Sequence, residues 1–419
     1  MLDDVEIKRV IKNSGYMLIT QGITYISPLL ILGFLIKNLG IDGFGKYAVC
    51  LAVAAYIQVV IDYGFSFTSS RAISQNRDNI KLVSNVFWMT IGIKVILSAL
   101  ILPLYYLAVS YSVNDEILKK ALIFAYLLVL GNSFLPIWYY QGKENLKPIA
   151  FLNLISRAFS CVLVLLFVKS NSDINIALIC QSVPSLLCAL VAILIPVYKR
   201  EVQKTVPKIS FVKEELVAGW SMFTATLYSV ILSNSAVFLL GIMTNPVIVG
   251  AYATIERVIK AFTSLFAPLT QSVYPYNCNK FKESISSGLI SVRKTAKPIM
   301  ILAALASLFI ITAMLFYHLY WVKNKIEGFL PIAVLLTFWM FFSVLNNILG
   351  IQTLSAAGHS RSYSSSFKFV AIFTLILMIV LIHYWQNIGA AISMFLGELS
   401  LTILLFGKVQ KLVNIHKVE

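Results

Sequence analysis

Runs of about twenty apolar residues recur from residue 14 to residue 406, and this repetition constrains the fold more than any other feature of the chain. An α-helix rises about 1.5 Å per residue, so about twenty residues cross the roughly 30 Å hydrocarbon layer of a bilayer. Twelve spans are expected, at 14–36, 46–69, 83–109, 119–140, 149–168, 175–198, 216–243, 249–273, 298–320, 330–352, 367–384 and 388–406. Of the 419 residues 59% are hydrophobic and 12% charged, against about half and a quarter in soluble domains. That composition excludes a string of soluble domains. The first run is too long for a signal-peptide core and is expected to remain as the first span.

The net charge of +16 follows the loops rather than forming a basic domain, so nucleic acid is not an expected partner. About 22 Lys and Arg fall on the side that holds both termini, among them Lys8, Arg9, Lys12, Arg71, Arg77, Lys143, Lys199, Arg293 and Lys417. About 6 fall on the other side: Lys37, Lys119, Lys120, Lys169, Lys323 and Lys325. The positive-inside rule therefore places both termini in the cytoplasm, and an even number of spans agrees.

The longest central loop, 199–215, contains Pro207 and divides the chain into 1–205 and 206–419, six spans each. An even number per half makes any internal repeat parallel, about an axis along the membrane normal. Two short matches fit such a repeat. Phe44-Gly45-Lys46-Tyr47-Ala48 opens span 2 as Val249-Gly250-Ala251-Tyr252-Ala253 opens span 8. Gly142-Lys143-Glu144 follows span 4 as Gly358-His359-Ser360-Arg361 follows span 10. The expected fold is an all-α integral membrane protein, two parallel-repeat six-helix bundles around a central cavity.

Catalytic apparatus of soluble enzymes is missing, and no cofactor is expected. The Gly-Lys pairs at 45–46, 142–143 and 407–408 lack the upstream glycine and following Ser/Thr of a phosphate-binding loop. His318, His359, His383 and His416 are scattered and suggest interface positions rather than a metal site. Cys50, Cys161, Cys180, Cys188 and Cys278 lack CxxC spacing and are expected to pack in the bilayer.

Charges inside the spans carry the functional signal, since one at mid-bilayer costs about 2.5–3.5 kcal/mol on insertion scales and normally faces a bundle interior or watery cavity. The cations are Lys94, Arg157, Arg257, Lys260 and Lys368; the acids are Asp62, Glu256 and Glu398. Lys46, Asp42 and Lys368 sit close enough to span ends to snorkel. Arg257 and Lys260 share a helical face, and Glu256 is placed to pair with Lys260. Two readings stay open for this cluster: an ion-pair group that holds helices together, or an anion site in a central cavity. Facing one cavity, the five cations would suit a phosphate or pyrophosphate. Asp62, with Gln58 one turn earlier, is either a protonatable coupling site or the partner of one of the cations; Glu256 and Glu398 are the other coupling candidates. Trp138-Tyr139-Tyr140 closes span 4 where an aromatic belt is expected, with sugar stacking as the alternative.

Gly40 to Tyr47 (GIDGFGKY), then Asp62-Tyr63-Gly64-Phe65 leading to Arg71-Ala72-Ile73-Ser74, resembles the span 2 region of bacterial O-antigen flippases of the Wzx type. Pro136-Ile137-Trp138-Tyr139-Tyr140-Gln141-Gly142 resembles the P-x-W-[YF]-[YF]-Q-G stretch of the same proteins. These are polysaccharide transporters of the multidrug/oligosaccharidyl-lipid/polysaccharide exporter superfamily. The motif resemblance covers roughly residues 40–150 and the architecture essentially the whole chain. It implies alternating access in a bacterial inner membrane. The substrate would be undecaprenyl-pyrophosphate-linked oligosaccharide, moved from the cytoplasmic to the periplasmic leaflet and coupled to H+ or Na+. Membrane lipid, an O-antigen polymerase and a chain-length regulator are the implied partners. A drug-exporting antiporter of the same superfamily is the nearest alternative, disfavoured by the basic intramembrane balance. A membrane-embedded polymerase or ligase would need a large periplasmic loop, and the longest such loops here are about ten residues. A channel or receptor finds no pore-loop or ligand-domain signal.

Overall fold

A computed structural model describes residues 4–322 and 328–415, with side chains from residue 31 onward apart from 218, 221, 225, 275, 321, 322, 360 and 415. The side chains of Lys8, Arg9 and Lys12, and residues Lys323, Lys325, His416 and Lys417, lie outside the described residues. Every described element is helical: α1 (Asp4–Asp62), α2 (Phe65–Gln75), α3 (Ile80–Ser112), α4 (Glu116–Phe134), α5 (Ile137–Gly142), α6 (Lys147–Phe167) and α7 (Ile174–Tyr198). After them come α8 (Ile209–Met243), α9 (Pro246–Ser264), α10 (Phe266–Glu283), α11 (Ile285–Tyr317), α12 (Phe329–Asn347), a π-helical segment (Ile348–Ser355) and α13 (Ser360–Ile415).

Local chemistry sets many of these boundaries. Asp115 caps α4 by accepting from the amides of Ile117 and Leu118, and Asn245 and Ser284 cap α9 and α11 in the same way. Pro136 supplies no amide hydrogen, and the chain breaks there between α4 and α5. Non-helical backbone bends α1 at Gly40 and α13 at Gln386.

Nine helical segments among the described residues are long and apolar enough to cross a membrane. The expected twelve crossings are not counted one for one. Two of the nine, Ile31–Gln75 and Arg361–Asn414, are 45 and 54 residues long, more than twice the roughly twenty that one crossing needs. Residues 249–273, expected as span 8, fall on α9 and the start of α10 and are not among the nine, because their charges lower the hydropathy. The central loop is also shorter than 199–215, since α8 already starts at Ile209.

The chain forms two compact units, Met1–Asn234 and Ser235–Glu419. In the first, α7 packs on α4 and α6, α1 lies against both of those, and α5 lies on α2. In the second, α12 packs against α9, α11 and α13, and α10 packs on α11.

The two stretches that carry the family resemblance meet inside the first unit. Tyr63 and Gly64 both have left-handed backbone, φ 44° and 77°, and turn the chain from α1 into α2. A β-carbon on Gly64 would lie 2.8 Å from the amide nitrogen of Phe223, so glycine is required for both conformation and space. Gly142, closing α5, lets that helix approach α2: a β-carbon there would sit 2.8 Å from the Ile73 β-carbon and the Ser70 carbonyl oxygen. Trp138, Tyr139 and Tyr140 are buried at 2%, 1% and 2% exposure with Phe87, Ile73 and Ala192. The expected aromatic belt is therefore corrected: these rings face neither lipid nor sugar. Tyr140 donates to the Ala192 carbonyl at 2.8 Å, and Tyr139 donates to Glu201 at 2.9 Å. The indole of Trp88 donates to the Gln203 carbonyl at 2.9 Å, so the start of the central loop is held down on the first unit.

Candidate functional site

The helices sort the intramembrane charges into paired and unpaired groups. Lys94, on α3 and almost fully buried, points its ammonium at Asp62 at the end of α1, 2.8 Å from Oδ1 and 2.6 Å from the Ser133 carbonyl. Gln58, one turn before Asp62, donates to its other oxygen at 3.4 Å. Of the two readings for Asp62, geometry favours the pair. On α9, Glu256 is buried and lies 3.0 Å from Lys260 as an i, i+4 ion pair. Arg257, on the same helix, is half-buried. Lys46 does not snorkel. It is buried and bridges Asp42 at 3.3 Å and Asp115 at 2.8 Å, fastening α1 to the cap of α4. Lys368 is exposed on α13 and makes no ion pair among the described residues. Glu398, on the second limb of α13, is bonded by the amide of Asn346.

Arg157 stands apart. It sits in the middle of α6 and faces a cavity of about 280 Å³ inside the first unit, between α1, α4, α6 and α7. Among the described residues its guanidinium makes no ion pair and no hydrogen bond. The lining is polar for a membrane-spanning bundle: Asn132 from α4, Asn153, Ser156 and Ser160 from α6, Gln181 and Ser185 from α7, and Gln58 from α1. Ser185 donates to Asn132 at 3.2 Å, and Gln181 is fixed by the hydroxyl of Tyr47. Gln58 both lines the cavity and bonds Asp62, which joins the cavity to the Lys94 pair.

An uncompensated cation in a bilayer costs several kcal/mol unless polar groups, water or an anion solvate it, and Arg157, which bonds none of the polar residues lining its cavity, is left free to take an anion. A guanidinium keeps its charge and offers five donors in a planar fork suited to two oxygens of one phosphate. Amides and hydroxyls around it can bond the remaining oxygens or a neighbouring sugar. At about 280 Å³ the cavity falls just below the roughly 300–1,000 Å³ range of ligand clefts, so it accommodates a charged linkage or one ring rather than an oligosaccharide.

Of the eight expected site residues, then, Asp62, Lys94 and Arg157 lie in the first unit and Glu256, Arg257, Lys260, Lys368 and Glu398 in the second. Sequence reading missed the neutral lining. A signal was present: Asn153, Ser156, Arg157 and Ser160 recur at helical spacing on one face of α6, as Gln181 and Ser185 do on α7.

Comparison with known proteins follows the same lines. Over 406 residues, 96% of this chain and 97% of the relative, the chain is 26% identical to a protein of Escherichia coli (strain K12) named as a candidate O-antigen transporter. A protein of the same name from Shigella dysenteriae is 21% identical over 264 residues, 63% of this chain and 66% of the relative. Among solved structures, the lipid II flippase MurJ in an inward closed conformation is similar in fold, with a TM-score of 0.72 at 13% identity, covering 96% of this chain and 87% of that one. A multidrug resistance MATE transporter in an inward-facing conformation has a TM-score of 0.66 at 13% identity, covering 96% and 95%. The model of the family described as polysaccharide biosynthesis protein matches residues 10–278. With that match extending over more than half its length, the chain is a multi-pass membrane protein that belongs to the polysaccharide biosynthesis protein family.

Proposed function

We propose that this protein is a flippase that moves undecaprenyl-pyrophosphate-linked oligosaccharide of the O-antigen type from the cytoplasmic to the periplasmic leaflet of a bacterial inner membrane by alternating access. The observation that carries the reading is the unneutralised Arg157 in a polar cavity within a membrane-spanning bundle. The pyrophosphate between lipid and sugar is the part of such a substrate that cannot cross hydrocarbon unaided, because loss of its hydration costs several kcal/mol unless cations replace the water. Arg157 supplies that replacement, and Asn153, Gln181 and the serines suit the adjoining sugar. Likeness to relatives named for O-antigen transport and to a lipid II flippase fold supports the same reading. A drug antiporter, which shares the fold, favours cationic cargo and an acidic cavity, the opposite of this one.

Expression in a strain lacking its own O-antigen flippase tests the proposal, with O-antigen display and membrane abundance measured together. The wild-type chain should restore display where its substrate matches. Arg157→Lys should reduce display partly, and Arg157→Ala severely, at unchanged abundance. Normal display by Arg157→Ala would remove this residue as a substrate contact and shift attention to Arg257.

A further inference from the structure

Three carboxylates lie within the membrane-spanning stretches singled out by the sequence, and two of them face a lysine: Asp62 has Lys94 at 2.8 Å and Glu256 has Lys260 at 3.0 Å. Glu398 has none. Its side chain accepts from the Nδ2 of Asn346, and among the described residues no lysine, arginine or histidine contacts it. The groups around it are identifiable. α12 presents Asn346 and Ser343, and the first limb of α13 presents Tyr363. α9, which also packs on α13, carries Glu256, Arg257 and Lys260, with Lys260 bridging Glu256. A carboxylate in hydrocarbon without a cation is costly in its charged form, whereas a neutral carboxylic acid bonded by an amide is not.

Orientation of the Asn346 amide can be settled from its neighbours. Nδ2 lies 2.9 Å from the backbone carbonyl oxygen of Glu398, which can only accept, so the nitrogen and not the oxygen must face that way. The same nitrogen then points at the Glu398 carboxyl, and Oδ1 is turned to the hydroxyl of Thr402 at 2.8 Å. A metal cation needs oxygen lone pairs converging on it. Here an N–H donor occupies the approach, and the amide oxygen faces away. A proton needs only one carboxyl oxygen. Asn346 also stands two residues before the π-helical segment Ile348–Ser355, an irregularity of the kind that often marks functional sites in helices.

From this geometry we infer that Glu398, held by Asn346 and Thr402, is a proton-binding site that takes H+ in preference to Na+ and couples a proton gradient to the transport cycle. The step is a simple one: the carboxylate gains a proton from the aqueous side to become a neutral acid, and returns it on the other side. Its coupling role rests on the flippase reading, while proton binding itself does not.

Infrared spectroscopy of the purified full chain in lipid nanodiscs at neutral pH tests the binding, comparing wild type with Glu398→Gln in KCl and in NaCl. The expected result is a protonated-carboxyl band in the wild type that is lost in Glu398→Gln and unchanged on replacing K+ with Na+. An identical band in both proteins, or no band in either, would mean that Glu398 is ionised and would overturn the site. Loss of the wild-type band in NaCl alone would overturn the choice of proton over sodium. Because the variant can fail to fold, the wild-type protein is also assayed in weakly buffered solution with an indicator dye, where added NaCl should release no proton; a stoichiometric release refutes selectivity for H+. Coupling is read separately from O-antigen display. If wild type supports no display, the flippase reading falls and the infrared result still decides the site. If wild type displays O-antigen and Glu398→Gln, inserted at normal abundance, displays it equally, coupling through Glu398 falls.

Discussion

Asp62→Asn removes the partner of a buried ammonium, and the cost can be worked from its surroundings. Lys94 has a side chain only 3% exposed, with its Nζ held between Asp62 Oδ1 at 2.8 Å and the Ser133 carbonyl at 2.6 Å. Once the carboxylate is gone, one carbonyl and the new amide oxygen remain to solvate a full charge. Breaking a buried pair from one side costs about 3–5 kcal/mol. Asp62 is 22% exposed, so some water reaches the pair and the lower end applies, about 3 kcal/mol, or roughly a hundredfold in the folding equilibrium. Lys94→Met leaves Asp62 with Gln58 and that partial exposure, a milder loss. The double variant Asp62→Asn, Lys94→Met has no stranded charge and should recover most of the stability, giving a coupling energy of about 1–3 kcal/mol in a double-mutant cycle. Thermal unfolding midpoints in detergent and abundance in the membrane provide the measurements. Strictly additive losses, or an Asp62→Asn protein as stable as wild type, would refute the pair as a structural fastening. Normal O-antigen display by the stable double variant would remove both residues from the transport mechanism.

Gly142→Ala places a methyl 2.8 Å from Ile73 and Ser70 and should destabilise the α2–α5 contact by about 1–3 kcal/mol, seen as a lower thermal midpoint; an unchanged midpoint would contradict the close packing. Asp173, in the loop before α7, accepts the amides of Lys169 at 2.9 Å and Ser170 at 2.8 Å, and these bonds hold its carboxyl below the usual range. Its contribution is therefore present above the unfolded value near pH 3.9 and lost as the pH falls through the lower folded value. The stability gap between wild type and Asp173→Asn should be open at pH 6 and close in that acid range, and a gap independent of pH would disprove the linkage. Reporter fusions after residues 76, 145 and 205 should read cytoplasmic and those after 113 and 172 periplasmic; the reverse pattern would overturn the orientation drawn from the Lys and Arg balance.

Hydrophobic runs made the helical membrane fold legible, since a bilayer imposes one length on every crossing and accepts few backbone solutions. The same runs located the intramembrane charges by number, while the turn at Gly64 and the close approach of helices at Gly142 became visible only in the folded chain. Which charges are neutralised was not legible. Lys94 and Asp62 are 32 residues apart, and Lys46 and Asp115 farther still, so nothing in a linear spacing pairs them. Glu256 and Lys260 were readable as a pair because one helical turn joins them. Only packing decided that Trp138, Tyr139 and Tyr140 lie inside the unit rather than at a lipid boundary, because a one-dimensional hydropathy pattern does not distinguish a face turned to lipid from one turned to protein. For the same reason tertiary structure alone set Arg157 in a polar cavity and Glu398 against an amide. Bilayer insertion is governed by composition summed along a segment, whereas the state of a buried charge depends on atoms within about 4 Å, contributed by distant parts of the chain.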